Sequence, residues 1–161
     1  MVRPLQEAAL AAPGDVSQRL RLSYRHAVVD PGRIEPIPSL AELPVAVRAD
    51  LAEAFDEVGI PKGARIARQG DYAYELFAIL QGIARIEQDG AVEAKLGEGE
   101  LLGEIGLLLT GRRTATIVAE TPMRLLTLFE QSFRQLSRKH PEFSAVVHGS
   151  SQGRFTSTTT A

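Results

Sequence analysis

One stretch of the chain has the residue types and spacing to do chemistry. It reads Gly103-Glu104-Ile105-Gly106-Leu107-Leu108-Leu109-Thr110-Gly111-Arg112-Arg113-Thr114-Ala115-Thr116. A glycine and a carboxylate open a short apolar turn, which then reaches two arginines and a β-prone run. The first turn of a helix leaves backbone N–H groups aimed past its N-terminus, where they attract anions. Gly103 lets a ligand approach the backbone closely. Arg113 supplies a planar charged fork suited to a phosphate, and Thr114 a hydroxyl. Glu104 repels a phosphate but accepts hydrogen bonds from sugar hydroxyls. Such a set suits a sugar and a phosphate carried by one small ligand.

Each of these residues also has a plainer reading. An isolated Arg113 would be a surface ion pair of little value, and Arg112 is expected to be solvated. Glu104 fits a helix start, where the dipole favours a carboxylate; that role is compatible with ligand binding. Gly103 alone would be a barrel corner. Only the combination favours a ligand site.

Other chemistries find no support. The chain of 161 residues has no cysteine, which removes disulfides, thiol nucleophiles and thiolate metal sites. Its three histidines, His26, His140 and His148, all fall outside the glycine-punctuated middle, so a metal-binding barrel enzyme is not expected. No P-loop occurs. The reading is a non-enzyme without metal or cofactor. A formal net charge of −2 argues against general nucleic-acid binding. The most apolar run, Leu101 to Leu109, contains Glu104 and is far shorter than the roughly 20 residues of a spanning helix. A soluble, cytoplasmic protein is the expectation, with no membrane contact.

The elements that must position this stretch are legible around it. Residues 1–35 are broken by Pro4, Pro13, Gly14, Pro31 and Gly32 and read as a flexible leader. Pro44 suits a first helical position. Val47, Leu51, Ala54, Phe55 and Val58 then form one helical face, stopped by Gly59 and Pro61. From Lys62 to Phe129 glycines separate short candidate strands at 65–68, 75–80, 83–88, 91–96, 114–119 and 124–128. Asp89-Gly90 is a two-residue hairpin signal. Helical spacing returns at Phe129, Phe133 and Leu136, and again at Phe143, Val146 and Val147 beyond Pro141. Gly149 to Ala161 reads as a disordered tail. The predicted fold is mainly β with flanking helices: a jelly-roll, cupin-like barrel with an N-terminal helix and C-terminal helices, over residues 36–148.

With these residues in place, the sequence resembles the cyclic nucleotide-binding domain family. The phosphate-binding cassette of that family matches Gly103, Glu104, Arg113, Thr114 and Ala115. Lys62-Gly63, Gln69-Gly70-Asp71, Leu76 to Ile79 and Gly82 resemble its first half. Residues Arg124 to Leu128 with Phe133 resemble its last strand and following helix. The resemblance implies that Arg113 pairs with the cyclic phosphate and Glu104 with the ribose 2′-hydroxyl. Backbone N–H groups of Ile105, Gly106 and Ala115 would surround the phosphate and sugar. A threonine at position 114 is associated in this family with cyclic GMP, yet cyclic AMP ranks first. Leu102 stands where the family usually has an aromatic residue, and Gly106 where it usually has alanine. The closing lid helix would be confined to Pro141–His148, about 12 Å long.

The resemblance implies a regulatory sensor that binds cyclic AMP or cyclic GMP and acts by population shift. The partner would be an unidentified effector protein or a second copy in a homo-oligomer. The alternative is a degenerate module of the same fold that serves as an interaction scaffold without nucleotide. Direct DNA binding needs a helix-turn-helix after the barrel, for which Gly149–Ala161 is too short and wrongly composed.

Overall fold

The computed structural model describes residues 30–104 and 106–160, with Leu109 and residues 151–160 as backbone alone. Asp30 caps a 3-10 turn, Pro31–Arg33, by accepting from the Gly32 N–H at 2.8 Å. Helices α1 (Pro38–Ala41) and α2 (Val45–Ala54) follow. Eight strands come next: β1 Asp56–Ile60, β2 Arg65–Ala67, β3 Glu75–Gln81, β4 Ala84–Gln88, β5 Ala91–Leu96, β6 Leu101–Leu102, β7 Thr116–Ala119 and β8 Met123–Phe129. Helices α3 (Glu130–Lys139) and α4 (Pro141–Thr160) complete the chain.

The strands form two antiparallel four-stranded sheets, ordered β1-β8-β3-β6 and β2-β7-β4-β5. This is the sandwich with flanking helices that the glycine spacing predicts. The first sheet sends apolar side chains into a core on each of its faces. Alternation along β3 assigns the faces. Leu76 and Ala78 join the core under the helices, whereas Phe77 and Ile79 join the core between the sheets. Strand β8 repeats the division with Leu126 and Leu128 against Met123 and Leu125. The Asp89-Gly90 hairpin joins β4 to β5 with both residues at positive φ, 52° and 84°, as a mirror-image turn needs.

Four expectations are corrected. The helix read through Val58 ends at Ala54; Phe55 is extended (φ −74°, ψ 148°), and Asp56–Ile60 pairs with β8 as β1. Phe55 still enters the helical core, while Val58 and Ile60 enter the core between the sheets. Pro44 precedes the helix as its N-cap instead of opening it. The fold begins before residue 36: Ile34 is fully buried, and Arg33 forms a two-pronged bridge to Glu57 at 2.7 and 2.9 Å. Residues 1–29 of the predicted leader lie outside the described residues. At the other end, backbone helix continues past Gly149 to Thr160, where a disordered tail was expected. Twenty helical residues span about 30 Å.

The C-terminal helices are anchored at two places. Phe143 packs edge-on against Phe133, ring centres 5.5 Å apart, and Phe143 and Val147 are both fully buried. At the α3–α4 joint, Asp50 of α2 accepts from Lys139 Nζ at 2.8 Å and meets His140 Nε2 at 2.7 Å. Hydrogen bonds from Lys139 and then His140 hold the Asp50 carboxyl below its ordinary pKa, and Asp50 in turn raises that of Lys139. Among the described residues no helix is long and apolar enough to cross a membrane.

Candidate functional site

The site begins where β6 leaves the sheet. Gly103 takes φ +83°, a conformation other residues rarely adopt. Gly106–Thr110 then forms one π-helical turn, closed by the Gly111 N–H on Gly106 O at 2.7 Å. A single turn of this type is a recurring feature of functional sites. The side chains of Leu107 and Leu108 lean on the same core that holds α3 and α4. The turn and the C-terminal helices thus share a packing partner.

Gly106 has a reason in this geometry. A Cβ there would stand 2.6 Å from Arg112 O and 3.2 Å from the Ala73 methyl. A residue with a side chain would push the turn off the strand approach, so the glycine permits close packing as well as weakening helix propensity.

The segment after the turn is tied to the loop between β2 and β3. Ala73 N–H donates to Gly111 O at 2.9 Å, Arg113 N–H to Asp71 O at 2.7 Å, and Gly70 N–H to Arg113 O at 2.8 Å. Arg112 is exposed, as predicted, yet it is held in place. Its guanidinium sits 4.0 Å above the Tyr72 ring and donates to Gly70 O at 3.1 Å. Thr114 is partly exposed, and its carbonyl accepts from Gln88 Nε2 of β4 at 3.2 Å. Ala115, also partly exposed, leads into β7.

Arg113 turns inward. Its side chain is 2% exposed, and its Nη2 donates to Glu75 Oε2 at 2.8 Å. Nη1 lies 3.5 Å from Gly103 O, and the guanidinium sits 5.3 Å from the centre of the Phe77 ring. Glu104 is fully buried beside Gly103. The structure therefore gathers Gly103, Glu104, Gly106 and Arg113 into one unit, with Thr114 and Ala115 on its outgoing strand. Ile105 lies outside the described residues. Glu75 was missed from sequence. Its signal was the period-2 pattern of β3, which puts position 75 on the inward face with Phe77 and Ile79.

What this unit can do follows from its groups. A buried guanidinium beside a positive-φ glycine favours an anion, and a buried carboxylate one residue away favours hydroxyl donors. Among the described residues no group of three His, Asp or Glu side chains is placed to hold a metal ion.

The sequence pattern of the cyclic nucleotide-binding domain matches residues 57–140, from β1 through the α3–α4 joint. The chain belongs to the cyclic nucleotide-binding domain family. Among relatives, it is 30% identical over 115 residues to the cAMP-dependent protein kinase regulatory subunit of Schizosaccharomyces pombe, covering 71% of this chain and 28% of that protein. The chain thus spans less than a third of that relative. The structure of Thermus thermophilus catabolite activator protein matches with a TM-score of 0.66 at 29% identity, over 75% of this chain and 59% of the other. A cyclic nucleotide-binding domain from Methylobacillus flagellatus matches with a TM-score of 0.70 at 19% identity, over 83% and 84% of the two chains, which supports the fold. Cyclic nucleotide-binding domains of this family are regulatory modules. Gly103, Glu104 and Arg113 of this one lie inside the matched segment.

Proposed function

We propose that this cyclic nucleotide-binding domain binds cyclic AMP, with cyclic GMP second, and acts as a non-catalytic sensor. The observation that carries the reading is the burial of Arg113 beside Gly103 and Glu104, where a phosphate and a ribose would meet opposite chemistries. Arg113 pairs with the cyclic phosphate, Glu104 accepts from the ribose 2′-hydroxyl, and Thr114 offers a hydroxyl to the base. Backbone N–H groups of Ile105, Gly106 and Ala115 complete the cradle. No catalytic step is needed, and the ligand leaves unchanged.

The output runs through packing. Leu107 and Leu108 rest on the core that contains Phe133, Phe143 and Val147. A ligand that tightens the turn shifts the population of helix positions by its differential affinity for them. The longer α4 gives this domain a lid of more than eight residues. The receiver is an effector protein or a second copy of the chain, and the domain acts in solution without DNA contact.

Thermal unfolding with graded cyclic AMP and cyclic GMP tests the reading. A ligand at 100 times its Kd stabilises the folded state by about 2.7 kcal/mol, so a concentration-dependent rise in Tm is expected, larger for cyclic AMP. A folded protein whose Tm moves with neither nucleotide would be a scaffold module of the same fold.

A further inference from the structure

Glu75 opens β3 on the face that looks between the sheets, and it is fully buried. Its carboxylate meets Arg113 Nη2 at 2.8 Å, and both side chains are shielded from solvent, at 0% and 2% exposure. Burying such a pair is a poor way to stabilise a fold, because desolvation offsets much of the attraction. The same site holds a second fully buried carboxylate, Glu104. The described residues of this site thus include two buried carboxylates and the Arg113 guanidinium.

We propose that Glu75 is a charge filter: it directs the Arg113 fork and biases the site toward a singly charged phosphodiester over a doubly charged phosphomonoester. The inference rests on the reading that Arg113 anchors the ligand phosphate. A phosphate paired with Arg113 lies one guanidinium away from Glu75, roughly 6 Å between the anions. Their repulsion scales with the charge on the ligand, and salt screens it little inside the protein. A cyclic phosphodiester carries one negative charge. A phosphomonoester carries about 1.5 to 2 at pH 7. The second is penalised more, although Arg113 attracts both.

Calorimetric titration of the full 161-residue chain and its Glu75→Gln variant with cyclic AMP and 5′-AMP reads this directly. Glutamine keeps the shape and the acceptor oxygen but removes the charge. Wild type is expected to prefer cyclic AMP. In Glu75→Gln the affinity for 5′-AMP should gain roughly tenfold relative to that for cyclic AMP, given the extra charge at this separation and an effective dielectric near 20. An unchanged ratio between the two ligands would overturn the proposal while leaving the site reading intact. Wild type that binds neither ligand would overturn the site reading and the proposal with it. If the variant folds only with nucleotide present, thermal unfolding in graded nucleotide gives the same comparison. A variant that stays unfolded with both ligands would make Glu75 purely structural and overturn the filter.

Discussion

Arg113 lies so close over Gly103 that a Cβ added to the glycine would stand 2.3 Å from Nη1. The glycine thus does two jobs: it takes a positive φ, and it leaves room for the guanidinium. Gly103→Ala is expected to cost about 1–2 kcal/mol of stability from backbone strain alone. It should weaken nucleotide binding further by displacing the fork. Chemical denaturation and titration of the variant separate the two effects. Weakened binding with unchanged stability would show that the strain is absent.

Thr114 has a narrower part. Its side chain is partly exposed, and its carbonyl is fixed by Gln88. Thr114→Ala should therefore leave the backbone in place and remove the hydroxyl together with one methyl group. Cyclic GMP affinity is expected to fall more than cyclic AMP affinity, by about 0.5–1.5 kcal/mol for one hydrogen bond. Equal losses for both would remove this hydroxyl from base selection.

Phe143 couples the first turns of α4 to α3. Phe143→Ala removes a fully buried ring that faces Phe133. A loss of about 3–5 kcal/mol of stability is expected in equilibrium denaturation. Proteolysis should show α4 opening ahead of the sandwich. Simultaneous cleavage of strands and helix would contradict a separable lid.

The Asp50 joint predicts a pH dependence with two limbs. Asp50 has a folded pKa below its ordinary value, so its contribution is complete above about pH 4 and is lost as pH falls through the lower folded value. Lys139 has a folded pKa above its ordinary value. Its contribution is complete below about pH 10.4 and is lost as pH rises through the higher folded value. Asp50→Asn should lower the neutral plateau of a Tm–pH curve toward its ends and so flatten both limbs, by a small amount because Lys139 is largely exposed. Limbs unaltered in the variant would exclude this joint as their source.

Much of the framework was legible because its signals are local. Positive φ at Asp89-Gly90 requires those residue types, and the hairpin fell where they stand. Strands β3 and β8 are mainly apolar, with Gly82 after the first and Pro122 before the second. Strand β1 was hidden because Phe55 and Val58 sit at helical offsets, and only pairing with β8 decides for a strand. Strand β6 is two residues long and has no periodicity to read. The site shows the same division. Gly103, Glu104 and Arg113 are near in sequence, whereas Glu75 reaches Arg113 from 38 residues away. Gly106 reads as a weak helix residue until the carbonyl of Arg112 is seen against it.

Arg113 is expected to anchor the cyclic phosphate. Calorimetric titration of Arg113→Ala beside wild type, with cyclic AMP and cyclic GMP, tests it most directly. Binding by wild type is expected, with a loss of about 2–5 kcal/mol in the variant, the range for truncating one side of a buried charge pair. A folded Arg113→Ala that binds nucleotide as tightly as wild type would contradict it.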